Sequence, residues 1–102
     1  MQFSGFDWDD GNLAKCRKHG VTAEIIESQF LRGVTILPDT AHSELEQRFR
    51  AVGRTEKGRA IFVVFTLRHR GGEAFIRPIS ARYMHAKEVK YYETEAAKVE
   101  KR

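Results

Sequence analysis

Residues 60–67 read Ala-Ile-Phe-Val-Val-Phe-Thr-Leu, the longest stretch of the chain without a charge. Its centre, Ile61-Phe62-Val63-Val64-Phe65, is apolar on both parities and rich in β-branched and aromatic side chains. A strand with one wet face alternates polar and apolar residues; one that does not is covered on both sides. The stretch therefore predicts a central strand running from Arg59 to His69, and it is too short to cross a bilayer as a helix. A turn sequence bounds it at each end, Thr55-Glu56-Lys57-Gly58 before and Arg70-Gly71-Gly72 after, each with glycine available for positive φ. Arg48 to Arg54 alternates ahead of the first turn, with Phe49, Ala51 and Gly53 on one side and Arg48, Arg50, Val52 and Arg54 on the other. Glu73 to Ala81 follows the second turn as the partner strand. Pro78 inside it predicts a bulge or an edge position, because proline brings no N–H to the ladder.

The flanks supply helices. Phe3 to Trp8 alternates weakly and reads as a short first strand, and Asp9-Asp10-Gly11-Asn12 is a turn and helix start. A short helix is expected over Asn12–Lys18, stopped at His19-Gly20 with Gly20 as its cap. Thr22 has the chemistry of an N-cap for a second helix to about Arg32, whose Ile25, Ile26, Phe30 and Leu31 face a core. Val34–Leu37 reads as a strand. Ser43 and Glu46 have capping-box spacing in the polar connection that follows. From about Met84 a helix runs towards the C-terminus, with Val89, Tyr92, Ala96 and Val99 as its inward stripe. This order predicts an α+β fold forming one domain over residues 1–102. Its mostly antiparallel, four- to five-stranded sheet has helices packed on one face.

The net charge of +4 over 102 residues conceals a sharper asymmetry. Residues 1–47 carry 4 basic and 8 acidic side chains, whereas residues 48–85 carry 9 basic and only 2 acidic ones. A sheet built from that second segment attracts a polyanion, of which nucleic acid is the commonest. The opening residues have no basic and apolar run of the signal-peptide kind. The single cysteine, Cys16, cannot form an intramolecular disulfide or a cysteine zinc cluster. The expectation is a soluble, cytoplasmic protein without membrane contact.

Several chemistries lack their residues. His19, His42, His69 and His85 include no i, i+4 pair, and no H-E-x-x-H run occurs. No G-x-G-x-x-G, P-loop or G-x-S-x-G is present either, so no metal and no cofactor is expected. Lys15, Arg17 and Lys18 flank Cys16 and favour its thiolate, yet a lone helical cysteine is ordinarily inert. What remains is a set of Arg, Lys, His and Tyr on strands and element ends. RNA cleavage without a metal needs nothing more. The 2′-OH is the nucleophile, a side chain takes its proton, cations steady the phosphorane, and a second group protonates the leaving 5′-oxygen. Arginine suits the phosphate because its fork grips two oxygens. Trp8 and Tyr83 are candidates to stack on an unpaired base, although Trp8 also suits the core and Arg77 a cross-sheet ion pair.

Five blocks carry a resemblance. They are Phe6-Asp7-Trp8-Asp9; Lys18-His19-Gly20-Val21; Arg48-Phe49 with Val52-Gly53-Arg54; Phe62-Val63-Val64-Phe65-Thr66; and Ile79-Ser80-Ala81-Arg82 followed by Glu88 and Tyr92. In this order, over about residues 5–93, the chain resembles the BrnT family of toxins from bacterial type II toxin–antitoxin systems. The resemblance implies a RelE-like fold and metal-independent cleavage of RNA that arrests growth. It also implies a BrnA-like antitoxin that neutralises the toxin and represses the shared promoter, so that DNA is met only through the antitoxin. By motif it singles out Trp8, Lys18, His19, Arg48, Arg54, Arg82, Glu88 and Tyr92. Pro78 departs from the family pattern, which has an apolar strand residue before Ile79 in many members.

The expected catalytic set is Arg82 and Arg77 on the scissile phosphate, with His19, His85 and Glu88 for proton transfer; an ordinary imidazole titrates near 6.5. The expected RNA-binding set is Trp8, Lys18, Arg48, Arg54, Arg68, Tyr83 and Tyr92. The alternative is a family member without catalysis, decayed or binding-only, that docks a protein or nucleic acid through its basic sheet.

Overall fold

Two glycine-bearing turns fold residues 49–83 into an antiparallel meander in the computed structural model, which describes residues 2–40 and 46–100. Strand β3 (Phe49–Arg54) pairs with β4 (Ala60–Arg70), and β4 with β5 (Glu73–Tyr83). The second turn is the tightest. Arg70 opposes Glu73, and Gly71 and Gly72 sit at φ 57° and 80°. Two successive positive φ values are what a two-residue hairpin turn with the right twist demands, and glycine adopts them without a β-carbon clash. The β4 strand is central, as its two-sided apolar pattern predicts.

Two short strands extend the meander. The first, β1 (Gly5–Phe6), pairs parallel with β5; β2 (Thr35–Pro38) pairs antiparallel with β3, so the sheet order is β1-β5-β4-β3-β2. The strand expected over Phe3–Trp8 shrinks to two residues. Asp7 still donates its N–H to the Ile76 carbonyl at 2.8 Å, and the chain then turns away, because Asp9 is already the N-cap of helix α1 (Asp10–Arg17). Asp9 and Asn12 form a reciprocal capping box. Helix α2 (Ala23–Arg32) starts at Thr22, whose hydroxyl accepts from the Ile25 N–H at 3.2 Å, and ends at Gly33. Helix α3 (Ala86–Glu100) follows β5. The Ser43–Glu46 capping box and His42 fall outside the described residues, as do the side chains of Ala96 and Val99.

Helices α1 and α2 cover one face of the sheet. Cys16, Val21, Ile26 and Phe30 meet Ala51, Ile61, Val63, Phe65, Ile76 and Ala81 in one buried cluster. Aromatic rings continue it, with Phe6 against Phe30 (5.7 Å), Phe30 against Phe65 (5.4 Å) and Phe65 against Phe49 (5.4 Å). Rings in edge-to-face and stacked pairs of this spacing add to the area they bury. The expected α+β sheet is present, but the helices do not all share a face. Helix α3 crosses the opposite side, where Tyr92 packs on Phe62 at 5.6 Å. Phe62 is on the parity of β4 that the core does not use, so the two-sided strand has a helix layer over each side.

Pro78 shapes the rest. The register slips by one between Val64 and Phe65: Phe65 opposes Pro78, Val64 opposes Ser80, and Ile79 is left over. This is a β-bulge at the proline, as the missing N–H predicts. The buried Asn12 side chain donates to the Pro78 carbonyl at 2.8 Å and to the Asp7 carbonyl at 3.0 Å, tying α1 to β5 and to the residue that follows β1.

Candidate active site

A bulge of one residue reverses the facing of everything after it. Arg77 faces away from the core, opposite Thr66. Without the bulge, Arg82 would point into the core. With it, Ala81 takes the core position and Arg82 emerges on the α3 side opposite Phe62. Its guanidinium is 5.0 Å from the Phe62 ring.

Glu88, in the first turn of α3, holds that guanidinium with both oxygens, at 2.7 and 2.6 Å. The same carboxylate reaches back to accept the His85 N–H at 3.1 Å, closing half a capping box at the start of α3. Arg82 and then the His85 N–H drive the Glu88 carboxyl down to a pKa of about 2. Arg82 is raised above its ordinary value, chiefly by Glu88. A guanidinium carries five donors. Glu88 engages two of them, and the Arg82 side chain is 40% exposed.

Behind this pair, Arg50 donates to the Tyr92 hydroxyl at 3.2 Å and to Asp39 at 3.0 Å, and it too lies near Phe62. Burial works against the Arg50 charge, but Asp39 and Tyr92 outweigh it and hold its pKa up. Tyr92 therefore braces Arg50 under α3 and is itself buried.

The surrounding rim is the end of the sheet where β3 and β5 finish and β4 begins. Arg54 closes β3, donating to Glu93 of α3 at 2.6 Å and to the Gly58 carbonyl at 2.9 Å. Tyr83 closes β5. The Arg59 guanidinium lies directly over its ring, 3.6 Å from the centroid. On the helix side, a β-carbon at Gly20 would sit 3.9 Å from the Tyr83 ring, which brings exposed Lys18 and His19 to the same rim. His85 is exposed beside Glu88.

The other expected residues lie elsewhere. Arg77 is five residues from Arg82, roughly 16 Å along a strand. It pairs with Asp9 at 2.7 Å and Asp7 at 3.6 Å, and Arg70 joins Asp7 at 3.1 Å. Asp9 first, then Asp7, raise the Arg77 pKa. One phosphate cannot reach both Arg77 and Arg82. Arg68 pairs with Glu46 at 2.7 Å, and Arg48 precedes β3; both are at the far end of the sheet. Trp8 packs against the core and donates its indole N–H to Glu27 at 2.9 Å, so its ring is not a free platform. The sequence reading missed Arg59. It was hidden as the first residue of a hydrophobic strand, and only the shifted register, with Ile61 opposite Tyr83, makes it a diagonal neighbour of Tyr83. Among the described residues no group of three or more His, Cys, Asp and Glu is placed to hold a metal ion, and no helix is long and apolar enough to cross a membrane.

A cluster of cations, exposed imidazoles and a tyrosine at one open sheet end is the equipment for binding and breaking a phosphodiester. A family model described as the ribonuclease toxin, BrnT, of type II toxin–antitoxin systems matches residues 8–88, a span that includes Arg54, Arg59, Arg82, Tyr83, His85 and Glu88. No curated protein matches the chain.

Proposed function

The chain belongs to the BrnT family of ribonuclease toxins of type II toxin–antitoxin systems, and from that premise we propose that it cleaves RNA at the open end of its sheet, with Arg82 on the scissile phosphate. The observation that carries this reading is the Arg82–Glu88 fork beside His85, half-exposed, at a rim that also holds Arg54, Tyr83 and His19. Attack by the 2′-oxygen forms its bond to phosphorus and breaks the bond to the 5′-oxygen, leaving a 2′,3′-cyclic phosphate and a 5′-hydroxyl. The free donors of Arg82 neutralise the charge that grows on the phosphorane. His85 is the proton-transfer group nearest that charge, with His19 the second candidate across Tyr83. Glu88, ionised through the neutral range, keeps Arg82 aimed and is a positioning residue rather than an acid. Arg54 and Lys18 attract the flanking backbone. The route uses the 2′-hydroxyl that RNA itself brings, and in this proposal it needs no metal.

RNA is the target, and an antitoxin protein is the partner that a toxin of this kind has. We assign that partner to the BrnA-like class, with DNA contacted only through it and the cytoplasm as the place of action.

Expression of the protein alone tests the site. Wild type is expected to arrest growth and degrade cellular RNA. Arg82→Ala is expected to relieve both, and Arg68→Ala, whose guanidinium pairs with Glu46 at the far end, to retain both. A folded Arg82→Ala protein that cleaves at the wild-type rate would move the site elsewhere.

A further inference from the structure

Beside the Arg82 site, on the α2 side of the same sheet end, lies an open cleft of about 410 Å³. This is the size range of small-molecule sites. Its walls come from α2 (Glu24, Ser28, Gln29, Arg32), from the β3–β4 turn and from Tyr83. Three observations bear on what enters it. The Arg59 side chain is exposed, its guanidinium carbon lies 3.6 Å from the Tyr83 ring centroid, and it has no ion-pair partner among the described residues. Gln29 is 1% exposed; it donates to the Ile61 carbonyl at 3.4 Å, but its Oε1 has no hydrogen-bond partner among the described residues. Arg54 lines the cleft and also reaches α3 on the Arg82 side, so the two sites adjoin.

We infer that this cleft is a nucleotide subsite that receives one unpaired base of the RNA next to the phosphate held by Arg82. The inference rests on the function proposed above and adds a substrate preference to it. A base stacks on the outer face of Arg59, extending the Tyr83–Arg59 pile by one layer; guanidinium planes and aromatic rings are the usual supports for splayed RNA bases. Arg32 and Arg54 then flank its phosphates. Residues that line the same cleft bring acceptors to it: the Gln29 amide oxygen, the Ser28 hydroxyl and the Glu24 carboxylate. Such acceptors favour a base with an exocyclic amine, which brings two N–H donors, over uracil, whose single N3–H is flanked by two carbonyls. A buried amide oxygen without a partner is costly, and an incoming amine removes that cost. Gly53 leaves room for the Gln29 amide, since a β-carbon there would sit 2.7 Å from the glutamine Nε2.

The test uses short oligodeoxynucleotides, which lack the 2′-hydroxyl and so bind without being cut. Titration of the labelled protein with oligo-dA is expected to shift the Gln29 side-chain amide and Ser28 resonances, and oligo-dT to bind more weakly. Ser28→Trp, which fills the cleft from a half-buried position on α2, and Arg59→Ala are each expected to weaken oligo-dA binding roughly tenfold, the scale of one stacked base. The same two variants, confirmed folded by circular dichroism, lose base preference in the distribution of RNA cleavage positions. Absence of oligo-dA binding, binding that leaves those resonances still, equal response to oligo-dT, or wild-type affinity in Ser28→Trp would each overturn the inference. Arg82→Ala separates the two proposals. If it cleaves like wild type the catalytic assignment falls, while the oligo-dA result still decides the cleft.

Discussion

In the proposed reaction Arg82 depends on Glu88, which holds its guanidinium with both carboxylate oxygens. A lysine at position 82 keeps the charge but cannot span both Glu88 oxygens and a phosphate. Arg82→Lys is therefore expected to cut RNA roughly a hundredfold more slowly than wild type, the scale of losing one aimed charge-stabilising donor. The Glu88 pair also sets a pH signature. Its carboxyl titrates at about 2 in the fold against an ordinary 4.5. A depressed carboxyl stabilises the fold above its unfolded value and loses that contribution as pH falls through the folded one. The melting temperature of wild type should thus exceed that of Glu88→Gln at neutral pH, with the gap closing between pH 4.5 and 2. Cys16 shows the opposite balance. Burial pushes its thiol up, outweighing the nearby Lys15. Alkylating reagents are expected to leave Cys16 untouched in the native protein and to label it in urea, contrary to the activation that its basic neighbours suggest from sequence alone.

Among the elements, α1 and β5 pack through Cys16 and are hydrogen-bonded through Asn12. Asn12 closes the α1 capping box and donates to the carbonyl of the bulge residue Pro78. Asn12→Ala removes its half of the capping box and leaves a buried carbonyl without its donor, which should cost about 2 kcal/mol in urea unfolding. Arg50 does similar work between β3 and α3. Its removal leaves the carboxylate of Asp39, itself 1% exposed, without that guanidinium. Arg50→Ala is expected to destabilise by about 3 kcal/mol. Much of this level was legible in the sequence. The cap at Thr22, the stop at Gly33 and the two-residue turn at Gly71-Gly72 are local hydrogen-bonding and φ requirements, and local residues announce them. The length of β1 was not legible, because it depends on where the Asp9 cap redirects the chain against β5.

For the whole molecule, the basic segment 48–85 is not one uniform patch. The acids of the flanking segments come back onto it, Asp7 and Asp9 at one end, Glu88 and Glu93 at the other, and pair most of its arginines. The cations free to meet RNA are concentrated at the Tyr83 end. Binding to single-stranded RNA is expected to weaken with salt with a log–log slope of roughly −2 to −3, as for three or four phosphate contacts. Arg59→Ala should flatten that slope and Arg68→Ala leave it unchanged.

The sequence by itself determined the antiparallel meander, the helix caps, the basic character of the sheet and the family, because each of these is written in neighbouring residues or in a motif. Only the tertiary structure decided which arginines act together. Arg77 and Arg82 have opposite parity along the chain, yet Pro78 leaves one residue unpaired and so turns both away from the core, where different acids hold them. That slip sends Ala81 to the core, brings Arg82 to Glu88, and sets Arg59 against Tyr83. Register couples residues far apart in sequence, and periodicity read along one strand carries no information about it.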